Sequence, residues 1–289
     1  MRFSRPVVIT VLVVVALLFI IPAVARGPRT AVTSPTTTVR VTTSAPTTTV
    51  RSTTTTTTTP VSQTLRVPAN GHSTILVIGD SLGTDLGGGL SLQLEKSPKI
   101  TLVQKGKTLT GLSNAWYYNW PRHLKSDLKK YRPQLLIVFV GGNDEQGIEV
   151  NQHPAAFAST TWRKQYAENI ATMMGEATKA GSKVLWVGMP IMYPNGYRQG
   201  MQIINSLFAH VATTIPGVTF LPTWRFFASR DGQFRFNASV NGKLQAIRTP
   251  DGIHPTAVGQ GVLATYIVDE LRSVYHLRVT PAYPMRFTK

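Results

Sequence analysis

The stretch Thr74-Ile75-Leu76-Val77-Ile78-Gly79-Asp80-Ser81-Leu82 joins an unbroken apolar run to a Gly-Asp-Ser turn. Short runs rich in Val, Ile and Leu are typical of parallel strands that are covered on both faces. A serine that directly follows such a strand lies at the carboxyl end of the sheet, where open α/β folds place their chemistry. The stretch therefore predicts a buried strand that carries the hydroxyl of Ser81 to a functional edge.

The rest of the globular part alternates between apolar runs and helical stretches. The further predicted strands are Ile100–Val103, Leu135–Val140, Val184–Val187 and Val218–Leu221. The predicted helices are Asp85–Leu94, Pro121–Lys130, Trp162–Ala180, Gln202–Thr214 and Thr256–Tyr275. This alternation predicts right-handed βαβ units in a three-layer α/β/α sandwich, with a flavodoxin-like five-stranded parallel sheet of order 2-1-3-4-5. Turn signals at Asp231-Gly232 and Asn241-Gly242 predict a small hairpin excursion between Phe226 and Arg248.

Composition divides the chain into four parts. Residues 1–29 hold an apolar run (7–21) flanked by arginines and followed by Ala23-Val24-Ala25, which fits either a cleaved signal peptide or a single transmembrane anchor. Residues 30–72 are rich in Thr and Pro and predict a disordered linker, either an O-glycosylated stalk or a bare tether. Residues 73–277 form the predicted catalytic domain, and 278–289 a surface-hugging or loose tail. Either interpretation of the first part predicts an extracytoplasmic protein, secreted or anchored to the membrane.

The absence of cysteine limits the possible catalytic and metal chemistry, and the net positive charge bears on the possible partners. The chain has no cysteine, which rules out disulfides, thiol catalysis and cysteine-ligated metals. Of the formal charge of +17, +10 falls after residue 72. A field of this sign favours anionic partners, and without a nucleic-acid motif we expect an anionic cell-envelope polymer, although a basic face that only aids solubility is an equal alternative. The histidines outside the motif below share no metal-ligand spacing, so we expect no metal and no cofactor.

A serine hydroxyl needs a base to become a nucleophile, and the base needs a carboxylate to orient it. Asp251-Gly252-Ile253-His254-Pro255 offers both, because in a turn the carboxylate of Asp251 can reach Nδ1 of His254 and leave Nε2 for Ser81. The tetrahedral intermediate also needs hydrogen-bond donors for its oxyanion. We expect the backbone N–H of Ser81, the side chain of Asn143 beyond the third strand, and a glycine in the loop after the second strand to donate them.

These motifs resemble those of the SGNH (GDSL) hydrolase family. The four family blocks correspond to Ser81 in Gly-Asp-Ser-Leu, Gly111 in Thr-Gly-Leu, Asn143 in Gly-Gly-Asn-Asp and His254 in Asp-Gly-Ile-His, although the usual Asn-x-Gly of the second block is absent. The segment Trp116–Pro121 resembles a bacterial exported subgroup of uncharacterised function. The resemblance covers residues 73–277 and implies hydrolysis or transfer of O-linked acyl groups without a metal.

Aromatic and sulfur-containing side chains follow the second block and the fourth strand. Trp116, Tyr117 and Trp120 are candidates for stacking on sugar rings, and Met189 for lining an acyl pocket, although such residues are also common in protein cores. We therefore expect a serine esterase or deacylase that acts on acylated carbohydrate of the cell envelope, or on another small ester. The same triad would serve an O-acyltransferase, and a non-catalytic envelope-binding module is the alternative from another class.

Overall fold

The structure of the protein is a computed structural model, which describes residues 64–65, 69, 71–193 and 195–288. The signal peptide or anchor and most of the predicted linker lie outside these residues. Leu65, which the sequence places in the linker, is buried in the hydrophobic core. Among the described residues, no helix has the length and apolar character needed to cross a membrane.

The elements alternate between strands and helices, as the apolar runs predict. In chain order they are β1 (Ser73–Gly79), α1 (Ser81–Gln93), β2 (Ile100–Gly106), α2 (Trp120–Tyr131), β3 (Leu135–Phe139), β4 (Ile148–Val150), β5 (His153–Ala155), α3 (Thr160–Lys179), β6 (Lys183–Val187), α4 (Asn195–Thr214), β7 (Val218–Leu221), α5 (Trp224–Phe227), β8 (Asn237–Val240), β9 (Lys243–Ala246) and α6 (Ala257–Ser273).

Five strands form one parallel sheet in the order β2-β1-β3-β6-β7. The predicted order 2-1-3-4-5 is therefore confirmed, with β6 and β7 as the fourth and fifth strands. Every residue of β3 is buried, as is β1 except for Thr74, because helices cover both faces of the sheet. Since β1 pairs with both β2 and β3, the loops that follow these three strands meet at one edge.

Two helices begin four or more residues earlier than the sequence predicts. Helix α1 starts at Ser81, although Gly83 and three consecutive glycines at 87–89 have low helix propensity. A Cβ on Gly89 would lie 2.8 Å from the carbonyl oxygen of Gln260, so this glycine allows α1 to pack closely against α6. Helix α4 starts at Asn195 and runs through Gly200, where a Cβ would lie 2.4 Å from Cδ of Glu145. Tertiary packing therefore outweighs local propensity at both helices.

The sequence predicts one of the two hairpins outside the main sheet and not the other. The predicted hairpin is present as β8–β9, and its turn residues Asn241 and Gly242 both have positive φ (49° and 79°), as a two-residue hairpin turn requires. The short β4–β5 hairpin was not predicted, because Pro154 within it argues against a strand. The tail lies against the domain: Phe287 pairs with Val240, and Arg286 forms an ion pair with Asp269.

Candidate active site

Ser81 lies at the junction of β1 and α1, held there by its two preceding residues. Gly79 has a φ of +152°, and a Cβ at this position would lie 1.9 Å from the carbonyl oxygen of Phe139, so only glycine fits between β1 and β3. Asp80 caps α1, because its Oδ1 accepts a hydrogen bond from the backbone N–H of Leu82 at 2.9 Å. Ser81 is thus the first residue of α1, at the carboxyl end of the sheet.

The structure brings the three predicted catalytic residues into one hydrogen-bonded chain. Nε2 of His254 lies 2.8 Å from Oγ of Ser81, and Nδ1 of His254 lies 2.6 Å from Oδ2 of Asp251. A hydrogen bond from Nδ1–H to the carboxylate keeps the proton on Nδ1, so that the lone pair of Nε2 faces the serine hydroxyl. This geometry is the one required for proton transfer from Ser81 to His254.

Several hydrogen-bond donors keep the side chain of Asp251 ionised. Its Oδ1 accepts hydrogen bonds from the hydroxyl of Thr249 (2.6 Å) and from the backbone N–H groups of Ile253 (2.8 Å) and His254 (3.1 Å). Partial burial acts to raise the pKa of Asp251, but hydrogen bonds from Thr249, the His254 ring and the backbone outweigh it and hold the pKa below its usual range. The carboxylate is therefore ionised and can stabilise an imidazolium on His254.

Arg248, which the sequence analysis did not single out, lies beneath the histidine loop. The side chain is 3% exposed, and its guanidinium donates to the carbonyl oxygens of Ile253 (3.2 Å) and Ile191 (3.3 Å). The guanidinium also lies 4.5 Å from the ring centroid of Phe227, a cation–π contact. Burial lowers the pKa of Arg248 to about 10, so the group is still a cation at neutral pH. Arg248 thus joins the residue before His254 to the loop after β6.

Asp80 connects the serine turn to the loop that carries Asn143. Its Oδ2 accepts hydrogen bonds from the backbone N–H groups of Gly141 (3.0 Å) and Gly142 (2.8 Å). Complete burial raises the pKa of Asp80 to about 7, although the hydrogen bonds from Gly141, Gly142 and Leu82 act to lower it. Because Asp80 precedes Ser81 and Gly142 precedes Asn143, this one carboxyl group fixes the distance between the two predicted functional residues.

Asn143 and Ser81 both offer donors at the carboxyl edge of the sheet. The amide nitrogen of Asn143 donates to the carbonyl oxygen of Thr110 at 2.9 Å, and because an amide has two N–H bonds, one is left for a ligand. The N–H of Ser81 belongs to the first turn of α1, where backbone donors have no acceptor within the helix. The positive end of the helix dipole at Ser81 also favours negative charge.

Gly111 lies in the loop after β2, next to the residue that Asn143 contacts. A Cβ on Gly111 would lie 2.1 Å from Oδ1 of Asp144, so no larger residue fits without a shift of this buried carboxylate. Asp144 accepts hydrogen bonds from the backbone of Leu112 (3.0 Å), the backbone and hydroxyl of Ser113 (2.9 and 2.7 Å) and the hydroxyl of Tyr166 (2.7 Å). Asp144 therefore fixes the Gly111 loop beside Asn143.

The four candidate substrate-binding residues divide into two pairs. Trp116 and Tyr117 are exposed (83% and 46%) and contact each other edge to face. Trp120 and Met189 are buried, and their side chains cannot face a substrate in this structure. Trp120 instead donates from Nε1 to the hydroxyl of Thr110 at 3.1 Å. The expectation of direct substrate contact is therefore corrected for Trp120 and Met189, which support the loops around the site.

A second aromatic group flanks the histidine loop, and the sequence did not predict it as a cluster. Tyr193, Phe234 and Phe236 form a cluster with ring centroids 4.9–6.1 Å apart, and Tyr193 and Phe236 are partly exposed. The backbone N–H of Tyr193 donates to the carbonyl oxygen of Gly252, which lies between Asp251 and His254. Tyr193 is distant in sequence from the two phenylalanines, and only the alternation Phe-Arg-Phe at 234–236 could have pointed to a shared face. No group of three or more His, Asp or Glu side chains within the described part of the chain is arranged to hold a metal.

Comparisons with known proteins agree with this architecture. The family model described as "Protein of unknown function (DUF459)" matches residues 74–270. A search of curated proteins gives no match. Among solved structures, an acetyl xylan esterase, AlAXEase, is 16% identical with a TM-score of 0.51, and the alignment covers 68% of this chain and 99% of that one.

Two further structures are similar at comparable identity. TesA is 20% identical, with a TM-score of 0.49 and coverage of 70% of this chain and 99% of that one. A GDSL-like lipase from Bacteroides thetaiotaomicron VPI-5482 is 17% identical, with a TM-score of 0.46 and coverage of 71% and 90%. At these identities the likeness is one of fold. The chain belongs to the DUF459 family, and its fold is that of the SGNH (GDSL) hydrolases.

Proposed function

We propose that this protein is an exported serine esterase that removes O-linked acyl groups from carbohydrate of the cell envelope. The observation that carries the proposal is the hydrogen-bonded chain from Asp251 through His254 to Ser81. Asn143 adds an amide donor near Thr110, at the same edge of the sheet. A serine, an oriented base and oxyanion donors at one sheet edge are the parts that acyl transfer requires.

The first half of the reaction forms an acyl-enzyme. Oγ of Ser81 attacks the ester carbonyl carbon while its proton moves to Nε2 of His254, and Asp251 stabilises the resulting imidazolium. The carbonyl oxygen becomes an oxyanion, which the N–H groups of Ser81 and Gly111 and the amide of Asn143 stabilise. The intermediate then collapses: the bond to the alcohol oxygen breaks, and this oxygen takes the proton from Nε2. The second half repeats these steps with water as nucleophile and releases the carboxylic acid.

The position of the general acid indicates where the alcohol part of the substrate lies. Because Nε2 of His254 protonates the leaving oxygen, the alcohol leaves on the histidine side of the site. Tyr193 and Phe236 are exposed beside this loop. Exposed aromatic rings of this kind can stack on the apolar face of a sugar ring. Trp116 and Tyr117 are a second exposed pair, in the segment that follows the Gly111 loop. These two pairs support a carbohydrate as the leaving group.

The proposal is tested by turnover of an O-acetylated oligosaccharide and of p-nitrophenyl acetate. We expect wild type to release acetate from both, and Ser81→Ala to release none while it keeps the wild-type circular dichroism spectrum. Ser206→Ala removes a hydroxyl from the exposed surface of α4 and is the matched control, which should keep full activity.

The products separate the proposal from its alternatives. If acetylated acceptor sugar formed in place of acetate, the reaction would be acyl transfer and not hydrolysis. If wild type and Ser81→Ala gave the same rates, a serine mechanism at this site would be excluded; if both rates also equalled uncatalysed hydrolysis, a non-catalytic binding module would be favoured.

A further inference from the structure

The amino-terminal edge of the sheet is the face opposite the candidate active site. All five strands of the sheet begin at this edge, and the helices that return between parallel strands end there. Ser73, the first residue of β1, therefore lies here, whereas Ser81 follows the other end of the same strand, roughly 20 Å away. A ligand bound at the first edge would leave the serine free to react.

Three shallow clefts at this edge share Arg278 in their lining. The largest, of about 730 Å³, lies between the end of α6 and the tail and is lined by Arg272 and Arg278. A second of about 340 Å³ is lined by Lys96, Lys99 and Arg278, and a third of about 280 Å³ by Lys99 and Arg278. All four cationic side chains are exposed. We call Lys96, Lys99, Arg272 and Arg278 the basic furrow.

The charges of the basic furrow are not neutralised by neighbouring acids. Ion pairs in the described part of the chain are limited to His254–Asp251 and Arg286–Asp269, so none involves a furrow residue. Asp269 lines the largest cleft, but both of its oxygens accept from Arg286. The other nearby acid, Glu95, accepts a hydrogen bond from the hydroxyl of Tyr283 and keeps its negative charge. One further carboxylate against four cations leaves the furrow with a net positive charge.

Helix stabilisation does not account for this concentration of charge. Cations in the last turn of a helix interact favourably with the helix dipole, and Arg272 occupies such a position in α6. Lys96 and Lys99, however, follow the end of α1, and Arg278 belongs to the tail. A second cationic cleft at the ends of α2 and α3, lined by Lys125, Lys129, Arg132 and Lys179 together with Glu176, extends the positive surface.

We propose that the basic furrow binds a linear phosphodiester polyanion and holds the domain against it, with Ser81 directed away. Arginine and lysine side chains bind phosphate oxygens, the guanidinium through two parallel hydrogen bonds. The four cations line shallow clefts that share Arg278, so a flexible polymer chain lying across them can contact several cations in turn. This row of cations is the feature that favours a chain-like ligand, and binding to a membrane surface is an outcome that the test separates.

The test measures binding of the full-length protein, in neutral detergent, to a poly(glycerol phosphate) chain at increasing salt concentrations. We expect wild-type affinity to fall as salt rises. The double variant Lys99→Glu with Arg278→Glu should lose about tenfold or more in affinity, because it reverses two charges of the furrow. The control Arg230→Glu with Lys243→Glu changes the net charge equally on exposed residues elsewhere and should bind within about threefold of wild type.

The outcomes that overturn the proposal are distinct. Equal losses in the furrow and control variants would show that binding follows net charge alone. Absence of wild-type binding, or binding to phosphatidylglycerol vesicles without binding to the polymer, would exclude the proposed ligand. Hydrolysis of p-nitrophenyl acetate should be unchanged in both double variants, so failure of this proposal and failure of the serine mechanism are observed independently.

Discussion

Asp251→Asn is expected to change the position of one proton while the contacts of the loop persist. Three donors, the Thr249 hydroxyl and the N–H groups of Ile253 and His254, converge on Oδ1 of Asp251. In the variant the amide oxygen must take this place, because an amide nitrogen there would face three donors. The amide nitrogen then lies at the former Oδ2 position, 2.6 Å from Nδ1 of His254, and donates to it.

The consequence is a histidine in the wrong tautomer. If Nδ1 accepts, the imidazole proton lies on Nε2, which then donates to Ser81 instead of accepting its proton. The variant also lacks the negative charge that stabilises the imidazolium. For a serine triad, the two losses together correspond to a fall in kcat of about 10³–10⁴, or about 4–5.5 kcal/mol of transition-state stabilisation. The number of hydrogen bonds at position 251 is unchanged, so folding should be preserved.

The assay is steady-state hydrolysis of p-nitrophenyl acetate, with thermal unfolding as the check on folding. Asp231→Asn is the matched control, since Asp231 is an exposed turn residue that accepts a hydrogen bond from Ser229, and its activity should equal that of wild type. A loss below about tenfold in Asp251→Asn would refute the reasoning, because Asp251 would then not control the His254 proton.

Variants at three further residues test the surroundings of the triad. Asn143→Ala should lower kcat by about 10²–10³ with little change in KM, because it removes an oxyanion donor; an effect confined to KM would contradict this role. Arg248→Met should lower kcat and slow phosphonylation of Ser81, and Arg248→Lys should restore part of both rates because it can still donate to the carbonyl oxygen of Ile253; no recovery with lysine would count against positioning. Burial raises the pKa of Asp80 to about 7, above its value of about 4 in the unfolded chain, so its contribution to stability is complete below pH 4 and is lost as the pH rises to 7. In denaturant unfolding, the free energy of unfolding of wild type minus that of Asp80→Asn should therefore fall by up to about 4 kcal/mol between pH 4 and 7. A difference that rises over this range would show that the three N–H hydrogen bonds, and not burial, set the pKa of Asp80.

The sheet and the serine turn were predictable because the relevant signals are local. A parallel strand covered on both faces must be apolar throughout, so β1, β3 and β6 are visible as continuous Val, Ile and Leu runs. Gly79 and Ser81 are adjacent to such a run, and the connection rules for parallel strands then bring their loop next to Asn143. The spacing of Asp251 and His254 within one turn is equally local.

The remaining features depend on contacts between distant segments. Arg248 is a cation that the sequence would place at the surface, yet it is buried because two carbonyl oxygens and the Phe227 ring surround it. Trp120 and Trp116 lie four residues apart and have the same chemistry, but the first is buried against Thr110 and the second is exposed. Packing between distant segments decides which of these side chains is buried, and no local sequence pattern predicts that packing.

The proposed function depends on Ser81 as a nucleophile that His254 activates. The most direct measurement is reaction of the folded protein with a fluorophosphonate, followed by mass spectrometry of the modified peptide. We expect one adduct, on Oγ of Ser81, formed as the serine displaces fluoride, together with no adduct in Ser81→Ala and much slower reaction in His254→Ala. An unmodified Ser81 in the folded protein, or labelling at an equal rate without His254, would contradict it.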